Sequence, residues 1–339
     1  MVTTTGAEKL GWGLVGCGWV AADYGAPAIA GSGNGRLLAV HDPDARAMGR
    51  VAGGPDDGPA PRRHATLEAL LADDAVQAVY VATPNHVHAP VVIACARAGK
   101  HVLCEKPMAT TLADARAMVG ACAEAGVAYA TAFDQRFHAA HRKLRSLVAE
   151  GALGVVAQAR IHYACWLPAD WAADNWRVDP RRAGGGALID LAPHGVDLLE
   201  VLLGDEWSEL TALLQRKVHT YPVDDGAVLA GRFRGGALAT IHVAYNCPDL
   251  YPRRTLELIG TRAMAVAVDT MGQTPGGKLT LIDAETGAGA DATPPLDDDR
   301  SPFAAQAEAF ARSILAGEDY PYPAGRDLRT FALLEAACR

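Results

Sequence analysis

A glycine motif between a predicted strand and a predicted helix is the feature that most limits how this chain can fold. The apolar run Trp12–Gly16 leads into Gly16-Cys17-Gly18-Trp19-Val20-Ala21, which matches G-x-G-x-x-A, and a helical stretch follows from Val20 to Ala30. Such glycines permit a tight turn in which backbone N–H groups approach a pyrophosphate at the helix N-terminus. Glycine turns after strands are common, so the motif gains its weight from the elements that follow.

A second predicted strand, Arg36 to His41, ends at Asp42. A carboxylate in this position binds the ribose hydroxyls of a dinucleotide and repels the 2′-phosphate of NADP. Pro43-Asp44-Ala45 supply no Arg or Ser for that phosphate, and we expect Arg46 to point away. The sequence therefore favours NAD over NADP. Capping of a helix that begins at Pro43 is the structural alternative for Asp42, and the two roles are compatible.

Strands and helices then alternate along the N-terminal half. Strands are predicted at Gln77–Ala82, His101–Cys104 and Val127–Ala132, and helices at Leu67–Leu71, Val87–Ala98 and Leu112–Ala125. This alternation predicts an α/β fold with a doubly wound parallel sheet, in which ligands bind at the carboxyl ends of the strands. Thr83-Pro84-Asn85 and Glu105-Lys106-Pro107 follow two of these strands, so we expect both segments to line a cofactor crevice.

In the second half, Leu188 to Leu203 is predicted as an amphipathic helix with three polar side chains on one face. Asp190, His194 and Asp197 have the spacing i, i+4 and i+7. Pro193 fits a first helical turn, so we expect the helix to begin near Asp190 as its cap or first-turn residue. Helix capping by Asp190 and a satisfied core position for His194 remain the structural alternatives. Asp197 is expected to be a structural partner.

The other elements of the second half are mostly strands. A helix is predicted at His138–Glu150, strands at Val155–Trp166, Ala227–Phe233, Ala237–Tyr245, Arg254–Ile259, Ala263–Val268 and Lys278–Ile282, a loop at Gly287–Asp299, and closing helices at Phe303–Leu315 and Leu328–Ala337. Arg234-Gly235-Gly236 predicts a hairpin turn. An open sheet must cover any apolar face, so we expect this one to serve a homo-oligomer, a homodimer or homotetramer.

Composition excludes several classes of function. The 339 residues suit about two domains of roughly 150 residues. A formal charge of −8 argues against a nucleic-acid partner. No apolar stretch reaches the ~18 residues of a membrane span, and Met1 to Leu10 lack the pattern of a secretion signal. None of the seven cysteines forms a Cys-x-x-Cys pair, so we expect free thiols, no metal and a cytoplasmic location.

Five segments together resemble the Gfo/Idh/MocA family, the glucose-fructose oxidoreductase and inositol dehydrogenase group. They are Gly13–Ala22, Val79–His88, Ala98–Pro107, Arg136-Phe137 and Gly184–Asp197. The Gly-Lys-His-Val-x-x-Glu-Lys-Pro block is the most specific of them. The resemblance implies an NAD(P)-binding Rossmann domain at 1–133, followed at 134–339 by an α/β domain with a large, mostly antiparallel open sheet. The C-terminal helices are expected to be able to pack back on the first domain, and the Lys106–Pro107 bond to be able to adopt the cis form.

The resemblance also implies the site residues. Catalysis is expected from Lys106, Asp190 and His194. Cofactor contacts are expected from Gly16, Gly18, Trp19, Val20, Asp42, Thr83, Asn85, His88, Glu105, Lys106, Trp176 and Arg177. Substrate contacts are expected from Lys106, Tyr163, Trp166, Asp190 and His194, with further polar or aromatic residues such as His162, Trp171, Asn175 and Tyr245 near them.

Hydride transfer from a secondary alcohol needs a base for the hydroxyl proton and a donor that holds the oxygen. His194 is the natural base and Lys106 the natural donor, although the residues leave open which of the two is the formal base. By resemblance, the substrate is a sugar, sugar derivative, glycoside or cyclitol. Two alternatives remain: a catalytically silent NAD(P)-binding regulator, and an enzyme that uses NAD transiently for ring oxidation followed by elimination.

Overall fold

The computed structural model describes residues 9–51, 59–168, 175–295 and 300–338. The chain divides into two units. The first unit contains Met1–Ala109, Ala113–Ala132 and Phe303–Leu328, and the second contains Thr110–Leu112, Phe133–Pro302 and Arg329–Arg339. The boundary expected after residue 133 stays a prediction. Within the described ranges, no helix is long and apolar enough to cross a membrane.

Six parallel strands form the sheet of the first unit, in the order β3-β2-β1-β4-β5-β6. They are β1 (Leu10–Val15), β2 (Gly35–His41), β3 (Arg62–Arg63), β4 (Ala78–Val81), β5 (His101–Glu105) and β6 (Tyr129–Ala132). β1, β4 and β6 are buried along their whole length, as expected for strands with helices on both faces. The prediction of a doubly wound parallel sheet is confirmed, and its strand order is that of a dinucleotide-binding fold.

Helices connect these strands. They are α1 (Ala26–Gly31), α2 (Ala45–Val51), α3 (Leu67–Leu71), α4 (Asn85–Arg97) and α5 (Leu112–Glu124), with α9 (Pro302–Ala316) and α10 (Ala324–Ala337) near the C-terminus. A π-helical turn, Ala21–Gly25, precedes α1. The aromatic side chains of α9 pack on the first unit: the Phe310 ring lies 5.8 Å from Trp12, and Phe303 stacks on Tyr24 at 5.2 Å.

The second unit contains an eight-stranded sheet in the order β14-β13-β12-β11-β7-β10-β9-β8. The strands are β7 (Val156–Ala164), β8 (Trp207–Gln215), β9 (Gly226–Phe233), β10 (Leu238–Ala244), β11 (Arg254–Gly260), β12 (Ala263–Val268), β13 (Lys278–Asp283) and β14 (Gly289–Asp291). Only β7 and β10 pair in parallel among these strands, so the sheet is mostly antiparallel, as expected. The helices of this unit are α6 (Ala139–Ala149), α7 (Pro180–Ala183) and α8 (Ala187–Leu203).

α8 spans Ala187–Leu203, one residue longer than predicted at its start, and Asp190 lies in its first turn, which is one of its two predicted positions. Only the expected first-turn position of Pro193 is wrong, because Pro193 is inside the helix. The Asp224 carboxylate accepts hydrogen bonds from the N–H groups of Gly186 and Leu188, both at 2.8 Å. The cap therefore comes from a side chain far along the chain, which satisfies N–H groups that would otherwise lack partners.

Three strands were missed by the sequence reasoning: β3, β8 and β14, of which β3 has only two residues, both exposed. β8 has mostly exposed residues, so its sequence lacks the apolar alternation that marks a half-buried strand. β14 lies inside the segment Gly287–Asp299 that was predicted to be a loop, and this prediction is wrong at Gly289–Asp291. Residues 296–299 of that segment, and Trp171 within 169–174, lie outside the described residues.

We expect Gly186→Ala to destabilise the second unit. A Cβ at Gly186 would lie 2.0 Å from the backbone oxygen of Asp224, which cannot move without disturbing the α8 cap. The free energy of unfolding, measured with urea, should fall by about 1–3 kcal/mol, as for other overpacked sites. Gly120→Ala in α5 is the matched control because no atom lies within 4 Å of its Cβ position. A loss of stability equal to that of the control would contradict the close approach.

Candidate active site

The two glycines of the turn after β1 have different surroundings, since one lies against the backbone and the other is exposed. Gly16 has φ +88°, and a Cβ there would lie 2.7 Å from the carbonyl group of Ala82, so only glycine fits. Gly18 is exposed and has no atom within 4 Å of its Cβ position. Trp19 and Val20 then begin the helical run, and the first N–H groups of a helix favour an anion. The turn therefore fits a pyrophosphate.

Asp42 lies at the end of β2 beside this turn. One carboxylate oxygen accepts the Cys17 N–H at 2.7 Å, and the other accepts the Asp44 N–H at 2.8 Å. These bonds fix the carboxylate at the point where an adenosine ribose is bound in dinucleotide folds. Burial, together with the Asp42 charge, raises the pKa of Cys17 to about 12, so this thiol stays protonated.

The loop after β4 contains three of the predicted cofactor residues. Thr83 has a buried hydroxyl oxygen with no hydrogen-bond partner within the part of the chain that the structure describes. Asn85 is buried at the start of α4. His88 is fully buried, and its two ring nitrogens lie 2.9 Å from the Pro107 carbonyl and 3.0 Å from the Thr83 carbonyl.

The contacts of His88 join the loops after β4 and β5. Burial lowers the pKa of its imidazole. The neutral ring has one N–H and donates to one of the two carbonyl oxygens, while its position places the Thr83 loop beside the Lys106–Pro107 segment. A direct cofactor contact by His88 stays a prediction.

Glu105 is held from two sides at the end of β5. The buried Tyr80 hydroxyl donates to one carboxylate oxygen, and the Lys106 N–H lies 3.3 Å from the other. Gly25, the last residue of the π-helical turn, makes room for the Tyr80 ring, because a Cβ there would lie 3.0 Å from it. The Lys106–Pro107 peptide bond is cis.

These residues fit NAD. The open glycine turn accepts a pyrophosphate, the fixed carboxylate of Asp42 accepts ribose hydroxyls, and the unpartnered Thr83 hydroxyl is free to bond a ligand. They lie at the carboxyl ends of β1, β2 and β4, as expected for a parallel sheet.

In the second unit, Asp190 and Tyr245 form a hydrogen-bonded pair. The Tyr245 hydroxyl donates to Asp190 at 2.9 Å. Burial, followed by the negative charge of Asp190, raises the pKa of Tyr245 well above its ordinary value. Tyr245 therefore acts as a hydrogen-bond donor that fixes the carboxylate, and does not act as a base.

His194 lies one turn further along α8, with 7% of its surface exposed. Its Nδ1 atom is 3.5 Å from a carboxylate oxygen of Asp134. The rings of Tyr163 and Phe133 contact it edge to face, with centroids at 5.8 Å and 6.4 Å. This packing fixes the plane of the imidazole.

Asp197 continues the same face of α8. The Arg136 guanidinium binds its carboxylate through two bonds of 2.8 Å and 2.6 Å. The expectation that Asp197 is a structural partner is thus confirmed.

The aromatic residues predicted around the substrate divide into two groups. Trp166 is 39% exposed and contacts His219 edge to face at 5.1 Å. The Arg177 guanidinium lies over the Trp176 ring at 4.4 Å. Its positive charge lowers the pKa of Tyr245, against the larger effect of burial. His162 does not join them: its ring stacks on His242 at 5.1 Å, on the sheet face opposite Tyr163, because neighbouring residues of a strand point to opposite faces.

Comparison with known proteins identifies the family. Residues 10–133 match the model of an oxidoreductase family with an NAD-binding Rossmann fold, and residues 141–266 match the GFO/IDH/MocA C-terminal domain. The chain belongs to the Gfo/Idh/MocA family. It is therefore an oxidoreductase with an NAD-binding Rossmann domain, and the family resemblance read from the sequence is confirmed.

Three relatives within the family are informative. A 1,5-anhydro-D-fructose reductase of Ensifer adhaerens is 34% identical over 93% of this chain and 91% of its own length. A D-xylose 1-dehydrogenase (NADP(+)) of Haloferax volcanii is 30% identical over 91% of this chain and 90% of its own. The crystal structure of an aldose-aldose oxidoreductase from Caulobacter crescentus, complexed with glycerol, has a TM-score of 0.86 and 27% identity over 98% of this chain and 97% of its own.

The structure adds Asp134 to the neighbourhood of the predicted family residues, and it gives Tyr245 a specific contact. Sequence reasoning named Tyr245 only as one of several aromatic residues, and it did not consider Asp134. The available signal was that Asp134 stands two residues before Arg136-Phe137, a segment of the family resemblance. Within the described ranges, no three His, Cys, Asp or Glu side chains are grouped to hold a metal ion.

Replacing Asp42 should weaken the discrimination against NADP. Asp42→Ser removes the charge that repels a 2′-phosphate, so the ratio of the dissociation constants for NADPH and NADH should fall at least about tenfold. Fluorescence titration with each reduced cofactor measures this ratio without a substrate. Asp44→Ser is the matched control, since the Asp44 side chain is exposed and, among the contacts described, bonds only the nearby Arg46 N–H. Tighter binding of NADPH by the unmodified protein would contradict this account.

Proposed function

We propose that this protein transfers a hydride between NAD and a secondary hydroxyl or ketone of a sugar, sugar derivative, glycoside or cyclitol. The observation that carries the proposal is the pair of Asp190 and His194, one turn apart on α8, each beside a second polar side chain. Tyr245 donates to Asp190, and Asp134 faces His194. A pair fixed in this way suits binding and deprotonation of a hydroxyl group.

Relatives support the substrate class. The two curated relatives described above are named for an anhydro sugar and for a pentose, and both are covered over about nine-tenths of their length. Both names combine a polyhydroxylated compound with an oxidation or reduction. The partly exposed Trp166 and the buried Tyr163 suit such a compound, since aromatic rings pack on the C–H faces of sugars while polar groups bind the hydroxyls.

The proposed mechanism assigns one task to each catalytic residue. When bound, NAD supplies the hydride acceptor. His194 takes the hydroxyl proton, Asp190 accepts a hydrogen bond from a substrate hydroxyl, and Lys106 donates a hydrogen bond to the reacting oxygen. Lys106 and His194 are both suited to proton transfer, and the assignment of His194 as base follows from the carboxylate beside it.

The cofactor contacts in this proposal come from the loops at the carboxyl ends of the strands and from one segment of the second unit. They are Gly16, Gly18, Trp19, Val20, Asp42, Thr83, Asn85, His88, Glu105, Lys106, Trp176 and Arg177. NAD is proposed over NADP because Asp42 presents its negative charge beside the glycine turn. A cytoplasmic location agrees with seven cysteines that are all free thiols.

Assembly is proposed to use the outer face of the eight-stranded sheet. Residues that pair across neighbouring strands form a row on this face of the sheet. The apolar residues of this row are exposed: Leu213 by 76%, Val228 by 39% and Val268 by 38%. Leu238, on the same face of β10, is 51% exposed. Exposed apolar surface of this kind marks an interface, so we propose a homodimer or homotetramer through this sheet.

Activity should depend on Lys106. We expect NADH to form from NAD and at least one member of a panel of sugars, glycosides and inositols. In Lys106→Ala, kcat should fall by about 10²- to 10⁴-fold, the range for loss of a positioned donor or acid–base group. Lys143→Ala, an exposed lysine on α6, is the control and should retain activity.

Other outcomes of this assay would refute the proposal in distinguishable ways. Full activity of Lys106→Ala would remove Lys106 from the chemistry. Binding of NAD without NADH from any panel member would favour a silent regulator. Product formation with NADH that never accumulates would favour transient oxidation followed by elimination.

The proposed assembly predicts that a charge on the outer sheet face lowers the molecular mass in solution. The double variant Leu213→Glu and Leu238→Glu should be a monomer by light scattering, whereas the unmodified protein should show two or four times the 35.5 kDa of one chain. Leu250→Glu is the control because Leu250 is 96% exposed outside the sheet strands. A monomeric unmodified protein at micromolar concentration would contradict the proposal.

A further inference from the structure

A buried acid outside the predicted catalytic set faces His194. Asp134 belongs to a short 3₁₀ helix, Asp134–Phe137, that follows β6 in the chain, and only 2% of its surface is exposed. One carboxylate oxygen lies 3.5 Å from the Nδ1 atom of His194. This distance is slightly longer than a hydrogen bond, and such contacts in unliganded active sites often shorten when substrate binds.

The carboxylate of Asp134 is held in place by its neighbour. The Gln135 side-chain amide donates to the second oxygen of Asp134 at 2.8 Å and to the Gly272 carbonyl at 2.7 Å. A buried carboxylate is costly unless hydrogen bonds or a positive charge compensate it. Gln135 supplies one such bond, and a protonated His194 would supply the charge.

We propose that Asp134 is the positioning residue of the catalytic base, a role that rests on the proposed function of His194. The carboxylate favours a proton on Nδ1, so that Nε2 is the nitrogen that accepts the substrate proton. In alcohol oxidation, the O–H bond of the substrate breaks and its proton forms the Nε2–H bond. NAD, when bound, would accept the hydride from the carbon that bears this oxygen, and Asp134 stabilises the imidazolium that forms on His194.

Among the described residues of the second unit, the other charged or titratable groups near His194 have contacts of their own. Asp190 lies on α8 itself and is bonded by Tyr245, and the charges of Arg136 and Asp197 are paired with each other. Tyr163 on β7 is kept neutral because burial, and then Asp134, raise the pKa of its phenol. The positive charge of Arg254, on β11, has the opposite and smaller effect of lowering the pKa of Tyr163.

Asp134→Asn tests the proposal because it keeps the shape of the side chain and removes its charge. We expect kcat for alcohol oxidation to fall at least about tenfold with KM changed less than about threefold. In the pH profile of kcat/KM, the decrease at low pH, its acid limb, should move to lower pH, because the imidazolium form of His194 is no longer stabilised. Asp225→Asn is the matched control: Asp225 is equally buried but binds backbone N–H groups and Asn246.

Asp225→Asn should reduce thermal stability without moving the acid limb. A purely structural role for Asp134 would give the same result for both variants, with lower stability and an unchanged limb. That outcome would overturn the proposal.

A double-mutant cycle separates this proposal from the proposed function. If Asp134 acts through His194, Asp134→Asn should lower kcat no further in a His194→Gln background. Full activity of His194→Gln would refute the role of His194 itself. An undiminished effect of Asp134→Asn in the His194→Gln background would refute only the positioning role.

The unmodified protein provides a second test, in which a variant serves only to assign the signal. Selective ¹⁵N labelling of histidine, with His194→Gln used for assignment, reports the tautomer of neutral His194 by NMR. We expect the tautomer with the proton on Nδ1. A neutral ring with its proton on Nε2 would overturn the proposal.

Discussion

The ion pair between Arg136 and Asp197 sets the geometry of the second unit. Both side chains are buried, and two hydrogen bonds of 2.8 Å and 2.6 Å connect the 3₁₀ helix Asp134–Phe137 to α8. Removal of one partner from a buried pair costs about 3–5 kcal/mol because the other charge is left uncompensated. The pair therefore fixes the register of the two helices, and with it the placement of Asp134 beside His194.

Long-range capping complements this ion pair. Asp224 binds the N–H groups that open α8, which places Asp190 in the first turn within reach of the Tyr245 hydroxyl. In the first unit, a parallel sheet has the equivalent effect because it brings the ends of β1, β2 and β4 to one edge. The glycine turn, Asp42 and Thr83 owe their proximity to strand order, and not to their positions in the sequence.

Local signals made much of this architecture predictable. The glycine motif, the alternation of strands with helices and the i, i+4 spacing of Asp190 and His194 all depend on neighbouring residues. The cap of α8 was not predictable in this way, because its capping residue, Asp224, is 38 positions from Gly186. Asp134 was not predicted for the same reason, because it lies beside His194 only in the folded second unit. β8 escaped because most of its side chains are exposed and show no alternation.

The central claim is that this protein moves a hydride between a polyol carbon and NAD. The most direct test uses NAD with polyols that carry deuterium on their carbinol carbons, and the mass of the cofactor after turnover. The account predicts NADH that contains deuterium from the substrate. Product formation without deuterium in the cofactor, or cofactor binding with no product from any polyol, would contradict it.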